Sequence, residues 1–484
     1  MPAIPFIGQT YTARSVNVDA QRTINLYPEV DPTGVAKGQQ QAVAALYGTP
    51  GLKRMWTLPG LGGVRGMYTS SSGVLYAVQG ATWCRWDMGA GAWAPVGMLA
   101  SMAGPVSLVD NGFEVCLVDG NNGYLYTEAS GVFAQIADQD FLGSQRVIYI
   151  DGYFGFTQPQ SQRFYVSQLL AGASVDALDF ASAEALPDRL VTLASNQREV
   201  WLFGESSTEI WYNAGLVDFP FTRIQGAVLE FGCEAAFSVA SVEGQLCWLG
   251  TTEGGGARVY LQQGYQPVPI STHTVETAME RMMRRDDAWA LSYQQDGHAF
   301  YVLTFPTAEQ TWCYDLTTQL WHERRTLHAD GRLLAWRLGA FARWNGLLLG
   351  GDRATGAIYQ LDLETYTDDS AVLPRIRTSP HYSGGDLPWV RHEQFQLDLE
   401  TGVGLDGGVT PGTDPQVMLQ WSDDGGHTWS HEHWVSAGAI GAYQARARWR
   451  RLGQSRDRVY RVMITDPVKV AMIGAHIQTR AGRH

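Results

Sequence analysis

Short runs of β-branched and aromatic residues recur in pairs along this chain, most of them opened by a turn glycine. The pairs are Gly73–Val78 with Trp83–Trp86, Gly112–Val118 with Tyr124–Tyr126, Gly152–Phe156 with Phe164–Val166, and Glu199–Phe203 with Glu209–Tyr212. They continue as Gly244–Leu249 with Arg258–Leu261, Gly297–Leu303 with Thr311–Tyr314, and Gly346–Leu349 with Ala357–Leu361. Successive copies lie roughly 38 to 53 residues apart, the span of one four-stranded propeller blade. Such a unit cannot bury its apolar face alone, so the copies must stack around an axis. The pattern predicts a β-propeller over 59–370 with six or seven blades, at roughly 45 residues each.

The flanks read differently. Residues 1–58 carry Pro2, Pro5, Pro28, Pro32 and Pro50, which break helices, and irregularly spaced aromatics. They predict an extended arm that either closes the propeller with a strand or reaches another subunit. Two segments interrupt the β pattern. Ser167–Glu184 is alanine-rich and reads as a loop with a short helix. Thr274–Arg285 reads as a helix, with Val275, Met279, Met282 and Met283 on one face. Residues 371–484 carry strand candidates at Val372–Arg377, Glu393–Glu400, Gln416–Trp421, Gln444–Trp449, Arg458–Ile464 and Lys469–Ile477, split by the Gly-rich loop Thr401–Pro415. They predict a separate antiparallel β-sandwich-like domain. The fold class is therefore all-β.

Composition sharpens this picture. Of 484 residues, 45% are hydrophobic and only 17% charged, which suits extensive burial in an assembly. The net charge of −13 disfavours a nucleic-acid-binding surface, because phosphates are neutralised by cations. The cations are nearly all arginine; lysine occurs only at Lys37, Lys53 and Lys469. Five scattered cysteines without a CxxC pair read as buried free thiols. No apolar stretch is long enough to span a membrane, and the N-terminus lacks the pattern of a signal peptide.

Candidate chemistry is sparse. Ser422, Asp424, Gly426, Thr428 and Trp429 fit the Asp-box turn, in which Asp and Gly shape a hairpin and Trp packs beneath it. Such boxes sit on sialidase blades as structural turns, so a propeller glycosidase or sugar-binding protein acting on host surface glycans is the alternative reading. His427, His431 and His433 crowd the same region, yet no fourth metal ligand is evident. Gly254–Gly256 does not open a helix and reads as no phosphate cradle. Asp286–Asp287 and Asp368–Asp369 read as solvated turns. No catalytic, cofactor-binding or metal-binding set emerges. Arg446, Arg448, Arg450 and Arg451 cluster, and the first three alternate. They read either as a solvated sheet face or as a contact with an acidic partner or subunit.

Several blocks resemble one known family. Phe6–Gly8, Arg14–Asn17 and Gln21–Glu29 are similar to its N-terminal arm. Asp176–Asp188 is similar to its central insertion, and Glu209–Gly215, Thr311–Arg324 and Trp449–Gly453 to later blocks. The family is that of the packaged-DNA stabilisation, or tail nozzle, proteins of short-tailed bacteriophages. The resemblance implies a structural component of the virion tail, made in the host cytoplasm and without catalysis. It implies a homohexameric ring beneath the portal and its head-to-tail adaptor. That ring extends the DNA channel, retains packaged DNA until ejection, and docks a tail needle, fibres or spikes. DNA would pass through the lumen without sequence-specific binding.

Overall fold

The computed structural model describes residues 1–30, 43–183, 188–216, 219–251, 255–383, 388–406 and 411–482. Gly254, and part of the Asp176–Asp188 block, lie outside these residues.

Each sequence pair becomes the second and third strands of one antiparallel sheet. Leu75–Gln79 and Thr82–Asp87, for example, lie between Val64–Thr69 on the inside and Ala92–Met98 on the outside. Six such four-stranded sheets are contiguous in sequence, with inner strands Val64–Thr69, Ser107–Asp110, Val147–Ile150, Leu190–Asn196, Ala240–Val242 and Trp289–Gln295. A seventh is built from Leu338–Trp344, Leu347–Asp352 and Ala357–Asp362. Its fourth strand is Gly51–Thr57 from the opposite end of the chain, pairing Leu52 with Leu361 and Arg54 with Tyr359. That strand closes the wheel, one of the two roles expected of the arm.

Packing between sheets follows the ring. A separate apolar cluster fills each gap: Tyr76, Trp83 and Leu117 between the first and second sheets, and Ala194, Trp201 and Trp248 between the fourth and fifth. The last gap, between the seventh sheet and the first, is filled by Val64, Leu75, Leu349 and Ile358. The clusters explain the aromatic-rich second runs, whose rings interlock across the gaps at edge-to-face angles, as Trp83 does with Tyr126.

Two local expectations change. Ala171–Ser182 is a strand, the outer member of the third sheet, and not a loop with a helix. Its pairing with Arg163–Gln168, and Arg163 stacked over Phe180 at 4.5 Å, outweigh the helix preference of its alanines. The expected helix Thr274–Arg285 is shorter, His273–Glu280. Val275 and Met279 are buried in the gap between the fifth and sixth sheets, but Met283 is fully exposed. After Arg281 the chain leaves the helix, and Arg285 pairs with Glu234 at 2.7 Å.

The C-terminal part is a sandwich of two sheets. One runs Leu26–Val30, Val43–Gly48, Ala471–Ala481, Val390–Leu399, Ala447–Arg450. The other runs Ala20–Ile24, Arg375–Thr378, Asp457–Ile464, Gln416–Ser422, His433–Ser436. Phe6, Leu26, Leu46, Phe395, Trp449 and Tyr460 fill the space between. The N-terminal segment thus supplies strands to both sheets. Ala20–Ile24 also meets the sixth propeller sheet in parallel, Ile24 opposite Glu323, so one sheet runs without a break from propeller into sandwich.

Candidate functional site

Three features carry most of the unusual chemistry: the seam between propeller and sandwich, the Asp-box hairpin, and the arginine-bearing edge.

The seam is polar and buried. Glu323 accepts from Arg22 Nε at 2.9 Å and Nη2 at 2.6 Å, and from Arg325 Nη2 at 2.8 Å. Burial alone would raise this carboxyl, but the two guanidiniums hold it at about 2. Asn25 Nδ2 donates to the carbonyls of Arg325 and Pro374, both at 2.9 Å, and its Oδ1 accepts from Arg325 N at 2.9 Å. Arg377 is fully buried without a carboxylate partner. Its guanidinium donates to Phe6 O, Gln9 O, Thr23 Oγ1 and Gln21 Oε1. His298 lies between Asp315, 2.7 Å from Nδ1, and Glu29, 3.0 Å from Nε2. Burial opposes its protonation, but the Asp315 and Glu29 carboxylates outweigh that and raise its pKa. None of these residues was read as a site residue in the sequence, although Arg22, Asn25, Glu29, Asp315 and Glu323 lie in the blocks that carry the resemblance. For the arginines among them a further signal was the concentration of arginine in a chain short of lysine.

Ser422, Asp424, Gly426 and Thr428 come together as a hairpin turn. Ser422 Oγ donates to Asp424 Oδ1 at 2.6 Å and accepts from Gly426 N at 2.7 Å. Thr428 N and Oγ1 donate to the Asp424 carboxylate at 2.9 and 2.6 Å. These bonds from Ser422 and Thr428 depress the Asp424 pKa below the usual carboxylate range. Trp429 is half-buried under the Arg461 guanidinium, 3.9 Å from the ring centre. Neighbouring Asp423 pairs bidentately with buried Arg458, at 2.6 and 2.8 Å. The Asp424 carboxylate is engaged within its own turn, so its geometry is that of a structural clasp. His431 and His433 lie with ring centres 4.0 Å apart at a tilt of 41°, and Trp421 stacks on His433 at 4.6 Å. No group of three or more metal-ligating side chains occurs among the described residues.

Arg448 and Arg450 project from one face of the edge strand Ala447–Arg450, opposite Gln396 and Gln394. Arg446 precedes the strand and Arg451 follows it with φ at 62°. Arg446, Arg450 and Arg451 are exposed and Arg448 is half-buried, and none forms an ion pair among the described residues. Arg448 Nε donates to Gln396 Oε1 at 2.8 Å.

Elsewhere the polar groups serve packing. A cavity of about 800 Å³ opens at one end of the propeller, lined in part by Gly63, Gly104, Asp119, Asp287 and Arg353. Arg65, on its wall, is occupied by the carbonyls of Gly80, Ser101, Ala103 and Gly104. The five cysteines are free and buried; burial raises Cys84 and Cys233 to about 11. The Asp368–Asp369 pair is no solvated turn. Asp368 is 1% exposed, and burial raises its pKa to about 6 even though Arg337 lies 3.3 Å away. No helix among the described residues is long and apolar enough to cross a membrane.

A closed wheel fused to a sandwich through a buried polar seam defines a propeller-and-sandwich protein. Two family models match in register with that division: "Bacteriophage P22 Gp10, beta-propeller" over residues 2–366 and "Bacteriophage P22 Gp10, beta-sandwich" over 386–480. The chain belongs to the Bacteriophage P22 Gp10 family of phage stabilisation proteins. No curated protein matches. Among solved structures, a chain of the mitotic checkpoint complex is similar at 11% identity and TM-score 0.41, over 65% of this chain and 94% of that one. The N-terminal domain of Nup159 is similar at 9% identity and TM-score 0.39, over 71% and 99%. Likeness this low says nothing of function.

Proposed function

We propose that the protein is a structural nozzle of a short phage tail: a ring, most simply a hexamer, below the portal and adaptor that extends the DNA channel and retains packaged DNA. The observation that carries this reading is the family match to phage stabilisation proteins over both parts of the chain. The bracing supports it. Propeller and sandwich share a sheet and a buried arginine-rich seam, so force on one part is transmitted to the other without a hinge. Its site in this reading is the virion tail, with adaptor, needle or fibres as neighbours and DNA passing without sequence readout. The net charge of −13 on each copy favours such slippage. A glycan-cleaving role gains nothing from the Asp-box, whose carboxylate is engaged inside its turn and whose hairpin lies in the sandwich.

The test is a phage lacking this chain. Particles filled in its absence are expected to lose their genome, measured as nuclease-sensitive DNA after purification, and to regain retention when the protein is added back. Particles that stay full and infect normally without it would overturn the reading.

A further inference from the structure

The charge of the chain is divided unequally. Residues 371–484 hold 13 Lys and Arg against 11 Asp and Glu, a balance of +2; residues 1–370 hold 22 against 37, a balance of −15. Of its exposed cations without an ion pair among the described residues, Arg391 and Arg456 stand apart in sequence, while Arg446, Arg450 and Arg451 lie within six residues. Beside them stand exposed apolar side chains, Tyr443 at 76%, Ile440 at 58% and Trp434 at 54%. Arginine beside exposed aromatics is the composition of a protein interface and not of a merely solvated edge.

The propeller carries a counterpart. In a four-stranded antiparallel blade, the turns between first and second and between third and fourth strands lie at the same end. On the first five sheets these turns expose Met88, Phe113, Val132, Leu170, Leu216 and Tyr265, between 42% and 70%. The same turns carry Asp87, Asp110, Glu128, Asp151, Glu199 and Glu243, and their one cation among the described residues is Arg198, already paired with Asp151 at 2.8 Å. At the sixth sheet this end is covered by the chain's own N-terminal segment, through Glu29 on His298 and Thr10 N on Trp321 O. The uncovered arc thus presents apolar and acidic side chains on each of five sheets.

We propose that the sandwich edge Tyr443–Arg451 of one copy seats on the acidic, apolar turns of the first five propeller sheets of a second copy. The inference rests on the self-assembly in the nozzle reading and names the two surfaces it would use. They are different patches, so the contact is head-to-tail and propagates to a ring when its rotation closes. Arg448 and Arg450 exchange water and neutral Gln partners for carboxylates of the neighbour, while Tyr443 and Ile440 cover the exposed apolar side chains.

The native cysteines are all buried, so an introduced surface thiol is addressed selectively. Full-length Tyr443→Cys protein mixed with full-length Phe113→Cys protein, treated with a bismaleimide, is expected to give a covalent dimer containing one of each. In parallel, Arg448→Glu with Arg450→Glu is expected to weaken self-association on the order of tenfold or more, seen by analytical ultracentrifugation. Glu199→Arg with Glu243→Arg on the other copy is expected to restore it. Circular dichroism and the unfolding midpoint check that each variant is folded. Wild-type rings that form while the mixed dimer is absent, or while only 443–443 or 113–113 dimers appear, would overturn the contact and leave the nozzle reading standing. A wild-type protein that stays monomeric both free and in assembled tails would overturn both.

Discussion

Arg377 is the most heavily used side chain of the seam, and Arg377→Met tests whether the N-terminal segment is held by it. Its guanidinium is fully buried and donates to Phe6 O at 2.5 Å, Gln21 Oε1 at 2.6 Å, Thr23 Oγ1 at 2.9 Å and Gln9 O at 3.0 Å. Methionine fills much of the volume and donates nothing. Thr23 Oγ1 still donates to Gly8 O at 2.8 Å, and Gln21 Nε2 still donates to Asp19 Oδ2 at 2.9 Å. Phe6 O, Gln9 O and Gln21 Oε1 lose this donor, at about 1–3 kcal/mol each where no water replaces it. Removing a buried charge that has no carboxylate partner returns part of its desolvation cost. The orphaned acceptors less the returned desolvation leave a loss of about 2–5 kcal/mol. Arg377→Lys keeps the charge but reaches fewer acceptors, and should fall in between. Urea unfolding measures the loss, and trypsin cleavage at Arg14 or Arg22 reports release of the segment. A variant within about 1 kcal/mol of wild type, with the segment still protected, would refute the reasoning.

Asp368→Asn is expected to stabilise the protein above pH 6: with the folded pKa raised from 3.8 to about 6, the ionised side chain costs about 3 kcal/mol, at 1.36 per unit. That gain should vanish below pH ~4, where the carboxyl is protonated in both states; pH-dependent urea midpoints check it. His298 has a raised folded pKa, so its contribution is full below about 6.5 and lost as pH rises through the folded value. His298→Gln should therefore cost more at about pH 5.5 than at about pH 9, by the same measurement. Asp424→Ala should lower the melting temperature of the sandwich and loosen Ser422–Trp429 in hydrogen exchange. With its carboxyl depressed, the wild-type advantage should persist above the ordinary Asp pKa of 3.8 and be lost as pH falls through the lower folded value.

The blades were legible because each repeats a local pattern: a turn glycine such as Gly297, at φ 80°, then a strand such as His298–Phe305. The Asp-box was legible for the same reason, since its partners lie within six residues of one another. What the sequence concealed is non-local. Ala171–Ser182 is a strand because Phe164 and Tyr165 pair with it, and nothing in its own alanines says so. Asp368 and Asp369 look alike on paper. Arg337 lies beside both, but Asp369 is partly exposed and also pairs with Arg54, whereas Asp368 is buried beside the closing strand, its backbone opposite Leu52. The arm likewise read as extended because its partners lie hundreds of residues away: Arg22 meets Glu323, and Phe6 O meets Arg377. Of the candidate arginines, alternation correctly placed Arg448 and Arg450 together, while Arg446 lies before the strand and carries no alternation.

The N-terminal segment makes the propeller and sandwich one mechanical object. The family matches divide the chain at 366 and 386, yet strands Ala3–Ile4, Ala20–Ile24, Leu26–Val30 and Val43–Gly48 lie within the first match and complete the sheets of the second. A fragment of 386–480 would lack those strands, together with Arg375–Thr378, and would expose the seats of Phe6, Leu26 and Leu46 in its core. A propeller lacking the segment would lose Gly51–Thr57 and leave its last sheet with an open edge. Each half is thus incomplete without the same stretch of chain. Its contacts span up to 475 residues, from Pro2 O to Ile477 N, so the last of them form only when nearly the whole polypeptide is made. Contacts so distant in sequence close late and cooperatively. Closing the wheel and completing the sandwich therefore draw on one stretch of chain, which ties the two halves together.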